Sequence, residues 1–367
     1  MKKRRPTQAD VALAAGVSQA TVSLILNPQA KESPNISDET RERVRTAIRE
    51  LGYVVNPAAR SLAGGRNRLL GVFVNGAAFA LDRGSFYHPM LVGIEEECIR
   101  LDYDMLLFTR SDGGNGRRSA YRHGVNHLRV ADGSILLGIE NKEELAQLSA
   151  EGYPFVFIGK RVVPGWDIHY VAADYSAGME DTTRELLQLG HRKIGYVYYR
   201  NNQATIDREI GIREGIRKHN LLDEEVCLPR SVSDRESIRV AAIELLERTG
   251  ATAIVTEEPG LAYAFAQEAE RLGFTAPHRY SLMAAGDHLA DTVPASFAET
   301  LRTLLIPRVE MGRQAARLLN SLLGLEFQDP LSTTLSVEPH VIVPVSFYPG
   351  LSVGEAPTPT SARRIPT

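Results

Sequence analysis

The sequence predicts a small all-α head at the N-terminus, followed by an α/β body whose parallel sheets form two lobes. Three observations indicate this fold class. The chain has 367 residues, more than one hydrophobic core usually serves. Residues 1–68 contain 12 Lys and Arg against 6 Asp and Glu, whereas the remaining residues contain 30 against 39. From Leu69 onward, short apolar runs alternate with amphipathic stretches, a pattern typical of parallel βαβ units.

The first predicted elements are two short helices joined by a tight turn. Thr7 can cap a helix that begins at Gln8, and Gly16 ends it because glycine tolerates a positive φ. Ser18 then caps a second helix from Gln19 to Leu26. The apolar face of the first helix is expected at Val11, Leu13 and Ala14. The outer face of the second helix, which suits a major groove, holds Gln19, Ala20, Ser23 and Leu24.

A third helix and a short hinge helix complete the predicted head. Ser37 caps the third helix, which ends at Gly52. Its apolar stripe is expected at Val44, Ile48 and Leu51. Asn56 can then cap a short helix that runs through Leu62. A helix of about two turns is marginal in water, so we do not expect it to be stable by itself.

Two segments of the head closely resemble the LacI/GalR family of bacterial repressors, namely PTQADVALAAGVSQATVSLILN at 6–27 and ISDETRERVRTAIRELGYVVNPAARSLAGG at 36–65. The resemblance implies a helix-turn-helix head that binds double-stranded, pseudo-palindromic operator DNA as a homodimer. It also implies a minor-groove wedge at Leu62, with Ala59 beside it and Asn56 as the cap. The implied major-groove and phosphate contacts are Thr7, Ser18, Gln19, Ala20, Thr21, Ser23 and Leu24.

Several of these residues have a purely structural alternative. Thr7 and Ser18 are equally well explained as helix caps. Gln19 can bond adenine and Ala20 can contact a thymine methyl group. Leu24 departs from the Arg or His found in the family's best-known members, so the base preference at that position does not carry over.

The body resembles the same family's periplasmic-binding-protein-like sensor, through ADGSILL at 131–137, LGHRKIGYV at 189–197, REIGIREGI at 208–216 and VEMGRQAARLL at 309–319. Its lobes are then interleaved, with residues 69–171 plus 300–334 nearer DNA and residues 174–297 plus 336–350 forming the far lobe. The predicted division of the chain is a head at 1–55, a hinge helix and linker at 56–68, an effector-binding and dimerisation body at 69–350, and a disordered tail at 351–367.

The resemblance implies a small-molecule effector of carbohydrate type, bound between the lobes where parallel strands end. The implied effector-binding residues are Phe86, Tyr87, Lys160, Arg208 and Asp287. Aromatic stacking and a guanidinium fork suit a hydroxylated ligand. The alternatives are that Phe86 and Tyr87 pack on their own lobe and that Arg208 is a solvated arginine at a helix start.

The effector pocket departs from the family pattern. Glu257-Glu258 stands where an Asn-Asp pair is common, and Asp287 is one place off its expected position. A constitutive DNA-binding regulator with an altered or lost pocket is therefore the alternative function. The glycine-rich segment at 112–118 could cradle a phosphate, but it lacks the GxxxxGK[ST] lysine and is more typical of a loop.

Other protein classes lack their sequence signals. We expect no enzyme and no cofactor, because GxSxG, HExxH and convincingly paired carboxylates are missing. Cys98 and Cys227 have no partner spacing, so we expect buried small apolar residues rather than a metal site or a disulfide. With no run of 18 apolar residues and no signal-type start, the expected location is the cytoplasm, without a membrane partner, which also disfavours an exported solute-binding protein.

Overall fold

The computed structural model describes residues 6–26, 36–53, 67–75, 84–109, 118–138, 141–199, 201–221, 227–287, 293–326 and 340–357. It divides the chain into two compact units, one within residues 1–67 and one within residues 68–367. Asn56, Ala59 and Leu62, predicted for the hinge, lie outside the described residues, as does most of the glycine-rich segment at 112–118. Among the described helices, none alone is both long and apolar enough to span a membrane.

The first unit consists of helices α1 Gln8–Ala15, α2 Gln19–Leu26 and α3 Asp38–Leu51. Thr7 begins α1 with a capping box, in which its hydroxyl accepts from the Asp10 amide at 3.3 Å and its own amide donates to the Asp10 carboxylate at 2.7 Å. Gly16 ends the helix at φ 64°, and α2 leaves at 106° to α1. This is the predicted helix-turn-helix geometry.

The core of the head is made of small side chains. Its buried members are Val11, Ala12, Ala15, Val22, Val44 and Ala47. The predicted apolar face of α1 is wrong at Leu13, which is 85% exposed, and at Ala14. Leu13 lies about 200° around the helix from both Val11 and Ala15, so it points away when they are buried. The predicted stripe of α3 is likewise shifted, since Ala47 is buried while Leu51 is exposed.

The second unit alternates strands and helices as predicted. The strands, in chain order, are β1 Leu69–Asn75, β2 Asp104–Phe108, β3 Tyr121–Arg122, β4 Val125–Asn126, β5 Gly133–Gly138, β6 Phe155–Ile158, β7 Tyr170–Ala173, β8 Ile194–Tyr198, β9 Cys227–Ser231, β10 Ala253–Thr256, β11 Ser281–Ala284, β12 Arg302–Leu305, β13 His340–Val343 and β14 Ser346–Tyr348. The helices are α4 Gly84–Arg100, α5 Lys142–Ala150, α6 Tyr175–Gln188, α7 Gln203–Lys218, α8 Arg235–Ala242, α9 Pro259–Arg271, α10 Ala295–Thr300 and α11 Arg308–Glu326.

Twelve of these strands form two six-stranded sheets, each of which is the centre of one lobe, and β3 and β4 pair separately. The first sheet has the order β13-β7-β6-β5-β1-β2 and is parallel throughout. The second has the order β14-β12-β11-β10-β8-β9, and only the β12–β14 edge pair is antiparallel. The side chains of Cys98 and Cys227 are buried, as predicted. The α/β fold class is confirmed.

The chain crosses between the lobes three times, the first time at the predicted place and the other two times later in the chain than predicted. It passes at Asp174, again between β12 and α11, and a third time between β13 and β14. Thus 302–305, predicted for the lobe nearer DNA, belongs to the second sheet, and 340–343, predicted for the far lobe, belongs to the first. Short apolar runs near a crossover carry no signal of which sheet edge they join, because either edge would bury them equally well.

The C-terminal segment also differs from its prediction. Residues 351–357 pack against the second lobe rather than forming part of a disordered tail. The backbone amide of Leu282 donates to Ser352 at 2.9 Å, and the Gly354 amide donates to the Ser281 hydroxyl at 3.0 Å. The composition of the segment resembles that of a flexible tail, but these hydrogen bonds to the start of β11 order it.

The alternating pattern of the body predicts a helix near 118–128, and this prediction is wrong. The segment forms the hairpin of β3 and β4, followed by a 3₁₀ turn at His127–Val130. His123 and Gly124 connect the strands with φ values of 49° and 76°. Two consecutive positive φ angles define a tight hairpin turn that a helix cannot contain.

Helices α4 and α11 cross in direct backbone contact in the first lobe. A Cβ on Gly93 would lie 1.9 Å from the Val309 carbonyl oxygen, and one on Gly312 would lie 2.2 Å from the Met90 carbonyl oxygen. Only glycine fits at two such positions. The crossing therefore fixes the start of α11 beside the first turns of α4.

Candidate DNA interface and ligand cleft

The outer face of α2 is accessible in the first unit. Gln19, Ala20 and Ser23 are exposed, and Leu24 is 45% exposed, while Val22 is fully buried behind them. The structure therefore brings the three residues predicted to choose the operator, namely Gln19, Ala20 and Leu24, onto one accessible face. An exposed leucine there is available for an apolar contact.

The hydroxyl residues beside this face act as caps within the protein. The Ser18 hydroxyl accepts from the Thr21 amide at 3.1 Å and lies 2.8 Å from the Thr21 hydroxyl. Thr7 caps α1 as described above. Thr7, Ser18 and Ser23 are exposed and Thr21 is half-buried, and a phosphate contact by these residues stays a prediction.

In the second unit, the predicted effector residues lie where the two lobes meet. We use the term cleft for the region formed by Phe86, Lys160, Arg208, Asp287 and Arg308. Lys160 follows β6 in the first lobe, and Asp287 follows β11 in the second. Both positions are at the carboxyl ends of parallel strands, where ligands bind in such sheets.

Arg208 on α7 is buried among protein partners. Its Nε donates to the Ala285 carbonyl at 2.8 Å, its guanidinium lies 4.1 Å from the centre of the Tyr175 ring, and Nη1 is 3.9 Å from a Glu257 carboxylate oxygen. Burial lowers the pKa of this guanidinium, but Tyr175, Tyr196 and Glu257 more than offset that effect and raise it overall. The predicted solvated arginine at a helix start is therefore excluded.

Glu257, a departure from the family pattern, has a defined role in this arrangement. Besides facing Arg208, its carboxylate accepts from the Tyr199 amide at 3.0 Å. It therefore compensates a buried cation and satisfies a strand-end amide.

Lys160 forms an ion pair that joins the two lobes. Its Nζ is 3.2 Å from the Asp207 carboxylate on α7, and Gln203 donates to the same oxygen at 2.9 Å. The Lys160 side chain is 36% exposed and Asp207 is 12% exposed. This contact links the first lobe to the helix that carries Arg208.

A second ion pair joins the lobes at Asp287, which contacts Nη1 of Arg308, the first residue of α11. The Arg308 guanidinium also lies 5.0 Å from the centre of the Phe86 ring. Phe86 and Tyr87 meet edge to face at 5.0 Å, and the Tyr87 hydroxyl lies beside Gly138 at the end of β5. Phe86 therefore contacts a cleft cation as well as packing within its own lobe.

Sequence reasoning missed Arg308. Within the described part of the chain, it is 7% exposed, and its Nε and Nη2 are buried without a hydrogen-bond partner. A signal was present, because proline favours the start of a helix and Pro307-Arg308 directly follows the apolar run that forms β12. Arg208 lies close to the residue before Asp287, because a Cβ on Gly286 would lie 3.6 Å from Arg208 Nη2.

Two open cavities lie elsewhere, on the outer surface of the second lobe. One, of about 370 Å³, is lined by residues that include Tyr263, Phe274 and Phe297. The other, of about 520 Å³, is lined by residues that include Gln188 and Glu355. We place the candidate site in the cleft because the charged and aromatic groups converge there. Within the described ranges, no group of three His, Cys, Asp or Glu side chains is arranged to hold a metal ion.

Family models match both units. The model described as "Bacterial regulatory proteins, lacI family" matches residues 7–56, and the one described as "Periplasmic binding protein-like domain" matches residues 183–352. The HTH-type transcriptional regulator CelR of Thermobifida fusca is 29% identical over 346 residues, which is 93% of this chain and 98% of that protein. AglR of Rhizobium meliloti is 27% identical, covering 84% of this chain and 85% of that protein.

Solved structures share the whole architecture. A CelR–cellobiose complex is 25% identical with a TM-score of 0.58, covering 95% of this chain and all of that one. The lac repressor dimer bound to operator and the anti-inducer ONPF is 19% identical with a TM-score of 0.67, covering 96% of this chain and all of that one, and it shows the shared fold. This chain therefore combines a head that matches the lacI family of bacterial regulatory proteins with a periplasmic-binding-protein-like body, and it is similar over almost its whole length to regulators of that kind.

Proposed function

We propose that this protein is a sequence-specific DNA-binding transcription regulator that represses transcription and responds to a small-molecule effector. The observation that carries the DNA-binding half is the geometry of α2 within a lacI-type head. Its exposed face offers an amide, a methyl group and an isobutyl group to base edges, while Val22 anchors the opposite face. A helix of this kind reads the major groove with its N-terminal residues.

The regulator acts as a homodimer on a pseudo-palindromic operator. Two copies of α2 then enter successive major grooves, about 34 Å apart. Gln19 bonds adenine, while Ala20 and Leu24 contact thymine methyl groups. Phosphate contacts come from Thr7, Ser18, Thr21 and Ser23, and the minor-groove contacts from Asn56, Ala59 and Leu62. The protein works in the cytoplasm, at the nucleoid, as a binding protein rather than an enzyme.

Each function belongs to one part of the chain. The head at 1–55 binds DNA, residues 56–68 form the hinge, and the body at 69–350 binds the effector and dimerises. The effector is carbohydrate-like and binds in the cleft through Phe86, Tyr87, Lys160, Arg208 and Asp287. The cellobiose bound in the CelR complex supports this class of ligand. Two ion pairs already span the lobes, so a ligand that contacts both sides changes their relative positions through its different affinity for the two arrangements.

One observation favours the alternative, a constitutive regulator without an effector. Arg208 already has a protein carboxylate beside it, and the Lys160–Asp207 and Asp287–Arg308 ion pairs hold the lobes together without a ligand. A thermal-shift screen of neutral sugars, sugar acids, sugar phosphates and purines separates the two proposals. A ligand at 100 times its Kd adds about 2.7 kcal/mol to the free energy of unfolding, whereas the constitutive regulator responds to none of them.

The DNA-binding proposal is tested by selecting binding sites from random duplex DNA with the full-length protein. We expect a pseudo-palindrome to be enriched. Gln19→Ala should relax the preference at an adenine position and weaken binding there by about 1–3 kcal/mol. Val240→Ser, a change at an exposed position on the body helix α8, is the control and should select the same site with unchanged affinity. Selection of no symmetric site, or the same site preferences with Gln19→Ala, would contradict the proposal.

A further inference from the structure

We propose that the effector of this cleft carries a carboxylate group, as a sugar acid does, and that the unpartnered edge of Arg308 binds it. This inference rests on the effector response proposed above. Arg308 is only 7% exposed, and it lies between Phe86 of the first lobe and Asp287 of the second. It is therefore placed inside the cleft rather than on its rim.

The protein holds the Arg308 side chain on two sides. Asp287 contacts Nη1, at one end of the guanidinium, and the Phe86 ring lies 5.0 Å away. The Gly93 crossing holds the backbone of the next residue, Val309, against α4. The guanidinium is thus oriented before any ligand arrives, which reduces the entropy that binding must overcome.

The remaining donors are two parallel N–H groups on one edge of the guanidinium. Nε and Nη2 are both buried, and neither has a hydrogen-bond partner among the described residues. Buried donors of a charged group are seldom left unsatisfied in a native protein, because they have lost water without replacing it. An acceptor other than those that the described residues provide is therefore expected at this edge.

The geometry of the edge favours a carboxylate over a pair of sugar hydroxyls. A carboxylate offers two acceptor oxygens in one plane, and it matches two parallel N–H donors in a bidentate contact. Hydroxyl groups also carry hydrogens, which must turn away from the cation and find other acceptors. The start of the 19-residue helix α11 adds partial positive charge at the same place.

The test compares matched acid and neutral ligands on the full-length protein by isothermal titration calorimetry. The pairs are D-glucuronate with D-glucose, D-galacturonate with D-galactose, and D-gluconate with D-glucitol. We expect at least one acid to bind, with its neutral partner weaker by at least about tenfold. Equal or tighter binding of the neutral partner would overturn the inference, as would the absence of binding by all three acids.

Substitutions then assign the contact to Arg308. Arg308→Lys keeps the charge but loses the parallel donors, and it should weaken the acid by at least about tenfold while changing the neutral partner less. Arg313→Gln, on the same helix but paired with Glu96, is the matched control and should leave affinity within about twofold. An unchanged acid affinity in Arg308→Lys would refute the assignment. If Arg308→Lys fails to fold, the acid-to-neutral ratio of the unmodified protein still decides.

Operator affinity, measured on the same samples, separates this inference from the proposed function. A neutral sugar that binds and changes operator affinity would leave the effector-controlled regulator intact and refute the carboxylate. Operator binding that no compound changes would refute the inference and the effector response together, and would leave DNA binding standing.

Discussion

The crossing of α4 and α11 provides a sharp test of how the first lobe supports the cleft. In Gly93→Ala, the new Cβ would lie 1.9 Å from the Val309 carbonyl oxygen, 2.9 Å from its carbon and 3.1 Å from the Arg313 amide nitrogen. The nearest obstacle is backbone, which cannot rotate away as a side chain would. Relief therefore requires the two helices to separate.

The size of the effect follows from these distances. A carbon and a carbonyl oxygen normally approach no closer than about 3.3 Å, so the helices must move apart by about 1.4 Å at this point. Overpacking of this kind costs about 1–3 kcal/mol, and we take the upper end of this range because the obstacle is backbone. Replacing glycine by alanine in a helix returns about 1 kcal/mol through the higher helix propensity of alanine. We expect a net loss of about 2 kcal/mol, which lowers the Tm of a unit of this size by about 3 °C.

The assay is thermal unfolding with a matched control in the same pair of helices. Gly324 lies in α11 and has no neighbouring atom within 4 Å of the place that an alanine Cβ would take, so Gly324→Ala should leave the Tm unchanged or raise it slightly. Gly93→Ala should also weaken acid binding in the cleft, because the displaced segment carries Arg308. If Gly93→Ala proves as stable as Gly324→Ala, the close crossing is not a real constraint and the reasoning is refuted.

Three further predictions concern the head, the far lobe and the lobe contact. Val22→Ala should destabilise the small head by about 1.5–3 kcal/mol and reduce operator binding, while the Tm of the body stays constant. Leu13→Ala, at an exposed position, should change the stability of the head by no more than about 0.5 kcal/mol. An equal loss of stability in both variants would contradict the buried core. Burial lowers the pKa of His191 from 6.5, so below about pH 6.5 the unfolded chain binds a proton that the folded protein does not, and the free energy of unfolding decreases as the pH is lowered. His191→Gln should reduce this decrease in thermal melts between about pH 8 and pH 5. An unchanged pH dependence would exclude the buried histidine as its source. Lys160→Met should lower the free energy of unfolding by at most about 1 kcal/mol, because the lysine is partly exposed, and this loss should become smaller in high salt. A larger loss that does not depend on salt would show that Lys160 acts through packing.

The sequence alone was sufficient for the bounds of the three described head helices and for the fold class. Thr7, Gly16 and Ser18 are local signals, since a cap or a positive φ depends on neighbours within four residues. The alternation of apolar runs with amphipathic helices likewise predicted the parallel sheets, because each strand must be buried by its own crossover helix. Such information is contained in short windows of the chain.

Local signals failed where two conformations satisfied the same pattern. Leu13 and Ala12 are adjacent apolar residues, and only the packing of α1 against its partners buried the alanine and exposed the leucine. The segment at 118–128 has helical composition, but the turn at His123-Gly124 closes a hairpin instead. The edge strand at 340–343 could have joined either lobe.

The sequence therefore determined the helix-turn-helix head, its caps and the alternating body, while the tertiary structure decided what lines the cleft. Asp287 and Arg308 are 21 residues apart and lie on different lobes, and Arg208 meets Glu257 from another part of the chain. A buried cation is stable only where folding brings a carboxylate or a carbonyl to it, so its partners depend on long-range packing rather than on sequence spacing. That Nε and Nη2 of Arg308 lack a hydrogen-bond partner among the described residues likewise follows only from the tertiary structure.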